Sequence, residues 1–152
     1  MAGKRYGGPW YGEFRERFLR EQELRWFYPD VRGRVVQQVA DAGYWLTLTV
    51  QVPGFSTRRV EIRFPSQLQF SPRVFVDGPD DSPHRYTSSA LCMWHPDDPV
   101  EQRWVFADGL LRLVGHIIAH LFREEWWRLT DEWLGPQAGH GQPVEVTPRR
   151  ER

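Results

Sequence analysis

Residues 44–52 read YWLTLTVQV, and the alternation is strict. Tyr44, Leu46, Leu48, Val50 and Val52 fall on one side of an extended chain, and Trp45, Thr47, Thr49 and Gln51 on the other. Side chains in a strand alternate with a period of two, so this stretch predicts a strand with one buried face. Pro53-Gly54 ends it. Upstream, residues 34–40 (RVVQQVA) favour strand, and Asp41, Ala42 and Gly43 make the intervening turn. Downstream, Val60, Ile62 and Phe64 alternate with Arg59, Glu61 and Arg63, and residues 73–76 (RVFV) give a fourth strand. Connections this short join antiparallel neighbours, which predicts a four-stranded meander.

Helical patterns flank the meander. Residues 13–27 (EFRERFLREQELRWF) contain no Gly or Pro, and Phe14, Phe18, Leu24 and Phe27 recur among charges. This predicts a surface amphipathic helix, stopped by Pro29. Residues 77–106 lose all periodicity and are rich in Asp, Pro, Ser and His. Loops of this length are functional or disordered, and Trp94 and Trp104 argue for order. Asp108 is placed to cap a long helix from about residue 109 to 127 or beyond, with Leu110, Leu113, Val114, Ile117, Ile118 and Leu121 as its apolar stripe. Residues 124–136 (EEWWRLTDEWLGP) continue it or form a second short helix ended by Gly135-Pro136. The expected architecture is α+β, with one face of the meander covered by helix. Residues 1–11 are read as a flexible lead-in, 12–141 as a single domain, and 142–152, with Pro143, Pro148 and many charges, as a solvated tail.

Composition narrows the function. The chain has 152 residues, a length for one domain. Lys plus Arg is 20 and Asp plus Glu is 20, so the net charge is +0 and the field that drives non-specific nucleic-acid binding is missing. The longest uncharged run, residues 42–57, has 16 residues and contains Pro53 and Gly54. A spanning helix needs roughly 20 apolar residues, so no membrane partner is expected. No apolar stretch follows the basic N-terminus, and the expected compartment is the cytoplasm. Eight Trp, nine Phe and five Tyr predict a core that is large for the length. The one cysteine, Cys92, excludes an intrachain disulfide and any multi-thiolate zinc site.

Cys92 sits late in the aperiodic segment, in SSALCMWHP, and a thiol on an ordered loop is open to a macromolecular substrate. The bland alternative is a small buried hydrophobe. His84 and His95 are nearby in sequence. His116 and His120 stand at i and i+4 on the long helix, a spacing that binds metal in some proteins. Here they share the polar side with Arg112 and Arg123, residues 117–119 are Ile-Ile-Ala, and no carboxylate or further thiolate joins them. Neither a metal nor a cofactor is expected. The cluster Trp126, Trp127 and Trp133 reads as core or partner surface rather than a base-stacking platform.

Taken together, these residues resemble the ubiquitin-conjugating enzyme superfamily, and more closely its prokaryotic branch, over roughly residues 12–134. That family orders an N-terminal helix, a four-strand meander, a long segment with a catalytic cysteine, and C-terminal helices. Phe64-Pro65, Pro72 and Val74-Phe75-Val76 look like its Tyr-Pro, spaced Pro and Val-x-Phe stretch. Ser82-Pro83-His84 stands where the family has His-Pro-Asn, ahead of Leu91-Cys92, and Trp104 follows. Residues 127–141 (WRLTDEWLGPQAGHG) look like the branch's Trp-x-Gly ending followed by His, here His140. Two departures are plain: Ser82 and His84 replace the triplet's His and Asn, and the gap from Cys92 to Trp104 is longer. The resemblance implies that Cys92 carries a ubiquitin-like protein as a thioester, received from a separate adenylating activating enzyme and passed to a lysine amine of a protein substrate. It implies a place for His84 as oxyanion donor, a job worth roughly 3–4 kcal/mol per good donor. Asp97 and Asp98 are candidates for positioning a neutral lysine, with solvated turn acids as their plainer reading. In the prokaryotic branch the conjugated group is a ubiquitin-like protein or the C-terminus of a signalling nucleotidyltransferase, in an antiphage setting. The other reading is a catalytically inactive binding module for the ubiquitin-like protein or its activating enzyme.

Overall fold

The computed structural model describes residues 7–135. Helix α1 (Phe14–Phe27) leads into strands β1 (Arg32–Val36), β2 (Gly43–Gln51), β3 (Thr57–Pro65) and β4 (Arg73–Val76), and helix α2 (Leu110–Thr130) closes the element order. The sheet runs β1-β2-β3-β4 with every pairing antiparallel, the expected meander. The alternation in β2 holds to the residue: Tyr44, Leu46, Leu48, Val50 and Val52 are all buried, opposite Val60, Ile62 and Phe64 of β3. α2 covers this face with Leu110, Leu113, Val114, Ile117 and Leu121.

Four expectations need correction. β1 pairs over Arg32–Val36, with Val36 opposite Gly43, so Gln37 to Asp41 turn rather than extend. The lead-in does not reach residue 11: Trp10 and Tyr11 are core residues. The Trp10 indole donates to the Gln69 carbonyl at 2.9 Å and meets the rings of Tyr44 and Phe64 edge-on. The aromatic repeat of α1 is not its buried face. Phe14 is 69% exposed and Phe27 60%, and Leu24 alone is buried. The attached stripe is Arg20, Glu21, Leu24 and Tyr28. Glu21 accepts from the Tyr44 hydroxyl, and Arg20 lies 3.5 Å from the centre of the Phe106 ring. Charged heads on long apolar stems hold this helix, so a hydrophobic pattern alone misplaced its face. Gly33 is needed where that stripe meets the sheet, because a Cβ there collides with the Tyr44 hydroxyl and Glu21.

The fourth correction concerns α2. Asp108 does not cap it; its carboxylate accepts from the Val105 N–H at 3.0 Å and closes a 3-10 turn, Phe106–Asp108. Gly109 is the N-cap at φ 83°, a left-handed value that glycine adopts without strain. The Trp104 indole donates to the Gly109 carbonyl at 2.7 Å and pins this joint to the core. The Trp-rich stretch continues the same helix to Thr130, where Asp131 turns left-handed at φ 61°. One C-terminal helix is described, not two, and it stops before Gly135. The expectations for residues 142–152 and for His140 lie outside the described residues.

Candidate functional site

The segment between β4 and α2 is ordered by hydrogen bonds that begin at the sheet. The Leu91 N–H donates to the Val74 carbonyl of β4 at 2.9 Å. Arg85 and Leu91 then form an antiparallel bridge. Tyr86 N–H donates to Ala90 and Ser89 N–H to Tyr86, both at 2.9 Å, closing a tight turn. Cys92 N–H donates to the His84 carbonyl at 2.9 Å. Residues 84–92 are therefore a small hairpin, and Cys92 stands at its returning end. Ser89 takes φ 70° at the tip, a conformation that costs a non-glycine residue about 1 kcal/mol or more. Its hydroxyl bond to Asp80 (2.8 Å) and the Arg85 bond to its carbonyl (2.9 Å) offset that.

Cys92 is a buried residue, 2% exposed. Burial pushes its pKa up, a hydrogen bond from Tyr86 pulls it down, and the nearby Asp98 carboxylate pushes it up again. The net direction is up, so the resting group is the thiol rather than the reactive thiolate. Tyr86 is itself pushed up to about 12, by burial first and then by Cys92. It also lines a cleft of about 830 Å³ walled by Phe70, Leu91, Trp94, Trp104 and Phe106. Tyr86 thus belongs both to the thiol's surroundings and to an open groove that mixes aromatic residues with Arg73 and Arg103.

His84 is also buried. Its ring packs 4.2 Å from Trp133, and its backbone N–H donates to the Ser82 hydroxyl at 3.3 Å. Its connection to Cys92 is through the backbone carbonyl. Asp98 accepts from the His95 N–H at 2.7 Å and reaches Cys92 electrostatically. Asp97 is 92% exposed and lies 3.5 Å from the His95 ring. His116 and His120, expected together on a polar face, are separated in environment. His116 meets Trp94 edge-on, whereas His120 is buried against Trp133 and near Glu124. Burial lowers the pKa of His120 to about 4, the nearby Glu124 notwithstanding. Among the described residues, no three His, Cys, Asp or Glu side chains form a metal-binding group.

Sequence reading missed the polar clamp behind the hairpin. Glu124 of α2 is fully buried and accepts two bonds of 2.7 Å from the Arg85 guanidinium. Ser82 also bonds this carboxylate, Arg128 lies 3.9 Å away, and His120 lies 3.8 Å away. Burial alone would raise the carboxyl's pKa, but Arg85, Ser82 and His120 hold it below its ordinary value. Arg128 extends the clamp to Asp81 (2.8 Å) and to the Pro79 carbonyl (3.1 Å). One signal was legible: Glu124 falls three residues after Leu121, on the apolar stripe, where an acid needs a buried partner.

A helix, a four-stranded antiparallel meander, an ordered segment bearing a single cysteine and a closing helix define an E2-like, that is ubiquitin-conjugating-type, architecture. The family model described as Type II CBASS E2 protein matches residues 20–141, most of the chain. The chain belongs to that family, a prokaryotic E2-like group of antiphage defence, and its role is E2-like within a conjugation pathway. No curated protein and no solved structure matches it. No helix among the described residues is long and apolar enough to cross a membrane.

Proposed function

We propose that the protein is a transferase that carries an activated protein C-terminus as a thioester on Cys92 and delivers it to a lysine amine. The carrier is a ubiquitin-like protein or another activated protein C-terminus, and an adenylating enzyme supplies it. The observation that carries this reading is the place of Cys92: the fixed end of a hairpin tied to β4 and α2, touching a residue that lines an open cleft.

The chemistry asks little of the protein. A thioester carbonyl is already activated, and holding it beside the amine supplies much of the rate. The Cys92 sulfur attacks the donor's thioester carbonyl, forms the new C–S bond and releases the donor thiol. The lysine nitrogen later attacks the same carbon, the C–Sγ bond breaks, and the amine's proton is lost as Cys92 regains its thiol. His84 serves by holding the Cys92 backbone through its carbonyl, with its ring anchored on Trp133. Asp98, whose charge already reaches Cys92, attracts the incoming lysine, and Asp97 widens that negative approach at the surface. The acyl group needs room that a buried residue lacks, so loading requires the groups that cover Cys92 to move. That same burial is the observation favouring the other reading, a catalytically inactive binding module.

Incubation with the activating enzyme, ATP and carrier, resolved on non-reducing gels, separates the two. An active transferase gives a thiol-sensitive adduct that is lost in Cys92→Ala and becomes a more stable oxyester in Cys92→Ser. Binding without any adduct supports the inactive module. An adduct that persists in Cys92→Ala removes the cysteine from the mechanism.

A further inference from the structure

Tyr86 has no counterpart among the residues that the sequence pattern nominated, yet its side chain is a hydrogen-bond partner of Cys92. The hairpin explains why. Arg85 opposes Leu91, and Cys92 bonds back to His84, so Tyr86 stands diagonally across from Cys92. Diagonal partners in an antiparallel pair lie roughly 7–8 Å apart, within reach of a long aromatic side chain. The turn fixes Tyr86 from both sides, through its N–H to Ala90 and its carbonyl to Ser89. Arg85, the preceding residue, is locked to Glu124. Tyr86 is half exposed on the cleft, so its ring borders both sulfur and solvent.

We propose that Tyr86 is a catalytic residue whose hydroxyl donates a hydrogen bond to the Cys92 sulfur whenever that sulfur bears negative charge. This rests on the thioester reading above. Two moments require it. During loading, Sγ must give up its proton before it attacks. During transfer, the C–Sγ electron pair returns to sulfur as the amine nitrogen bonds to carbon. A neutral phenol aimed at the sulfur lowers the cost of both in a site where burial and Asp98 oppose negative charge. The charged groups that bear on the pair are Asp98, after the hairpin, which disfavours the thiolate, and Arg73, at the start of β4, which acts on Tyr86. The phenol stays protonated at neutral pH and is available as a donor.

The test is the pH profile of Cys92 alkylation by iodoacetamide in the full chain, which needs no conjugation partner and stands apart from the gel assay. Tyr86→Phe keeps the ring and removes the donor. The alkylation midpoint should then rise by roughly 1–2 pH units, with a roughly 10–100-fold slower rate at neutral pH, as expected for one lost charge-assisted bond. Tyr86→Ala opens the site as well, so its rate gains from access while its midpoint still rises. An unchanged midpoint in Tyr86→Phe, or a faster rate with no shift, overturns the proposal and leaves Tyr86 a shield. Should the variants melt early, wild-type protein decides by ultraviolet titration. Carbamidomethylation of Cys92 should lower the ionisation midpoint of one tyrosine, and no change overturns the proposal. A shifted midpoint with no gel adduct retires the thioester reading and leaves the Tyr86–Cys92 bond intact.

Discussion

Glu124→Gln is the substitution whose effect the structure sets most directly. The carboxylate is fully buried, receives two 2.7 Å bonds from Arg85, whose side chain is 4% exposed, and takes a third from Ser82. Glutamine keeps the shape and one acceptor oxygen but removes the charge and turns an amide N–H₂ toward Arg85. The guanidinium is then a buried cation without its anion. Breaking a buried pair from one side costs about 3–5 kcal/mol. For a chain of this size each kcal/mol lowers the melting midpoint by roughly 2–4 °C, so a fall of about 6–20 °C is expected. A thermal melt by circular dichroism measures it. Two further measurements separate the pair from a general loss of packing. Replacing both partners, Arg85→Met with Glu124→Leu, should recover much of the loss, since apolar replacement of a whole buried pair is often neutral. Because Arg85 anchors the hairpin, Glu124→Gln should also quicken alkylation of Cys92 at pH 9, where the thiolate is less scarce. A loss under about 1 kcal/mol, or a double variant worse than the single, would refute the clamp.

Four other outcomes follow from the same physics. His120 is buried with its pKa held near 4, below the ordinary imidazole value. The unfolded chain therefore takes up the proton first, so stability is full above about pH 6.5 and falls as pH drops toward 4, by up to about 1.4 kcal/mol per pH unit. Melts from pH 7.5 to 4.5 should show this, with a flatter curve in His120→Gln. Trp133→Ala should cost about 3 kcal/mol by denaturant unfolding, because the residue is 8% exposed and its ring packs on both His84 and His120; a loss below about 1 kcal/mol would show that this packing adds little to stability. Gly109→Ala should destabilise by about 1 kcal/mol or more, since φ is 83° and a Cβ would press on the Glu23 carboxylate. Gly115→Ala, inside α2 with open space around its Cα, should stabilise by up to about 1 kcal/mol. Urea titrations of the two variants moving in the same direction would contradict both arguments.

The sequence by itself determined the sheet and the ordering of its long segment. A period of two in residues 44–52 and 58–64 leaves one register that buries the apolar set, because a slip of one residue would expose every member of it. The connections are too short for any topology but a meander, and the single cysteine on a Trp-bounded segment made its position plain. Several features needed the tertiary structure. The attached face of α1 was hidden because Arg20 and Glu21 pack through their stems and bond at their heads, while Phe14 and Phe27 stay in water. The cap of α2 fell to Gly109 because Asp108 spends its carboxylate on Val105. His116 and His120 share a helix and a spacing, yet one borders Trp94 and the other lies in the interior, a difference made by neighbours distant in the chain. The Cys92 surroundings belong to the same class. Cys92 meets Tyr86 because the hairpin folds back, and the hairpin is held both by its bonds to β4 and by Arg85, which finds Glu124 39 residues away. Periodicity records which face of an element is apolar; it carries no record of which polar groups will be buried together, and here those pairings set the environment of the thiol.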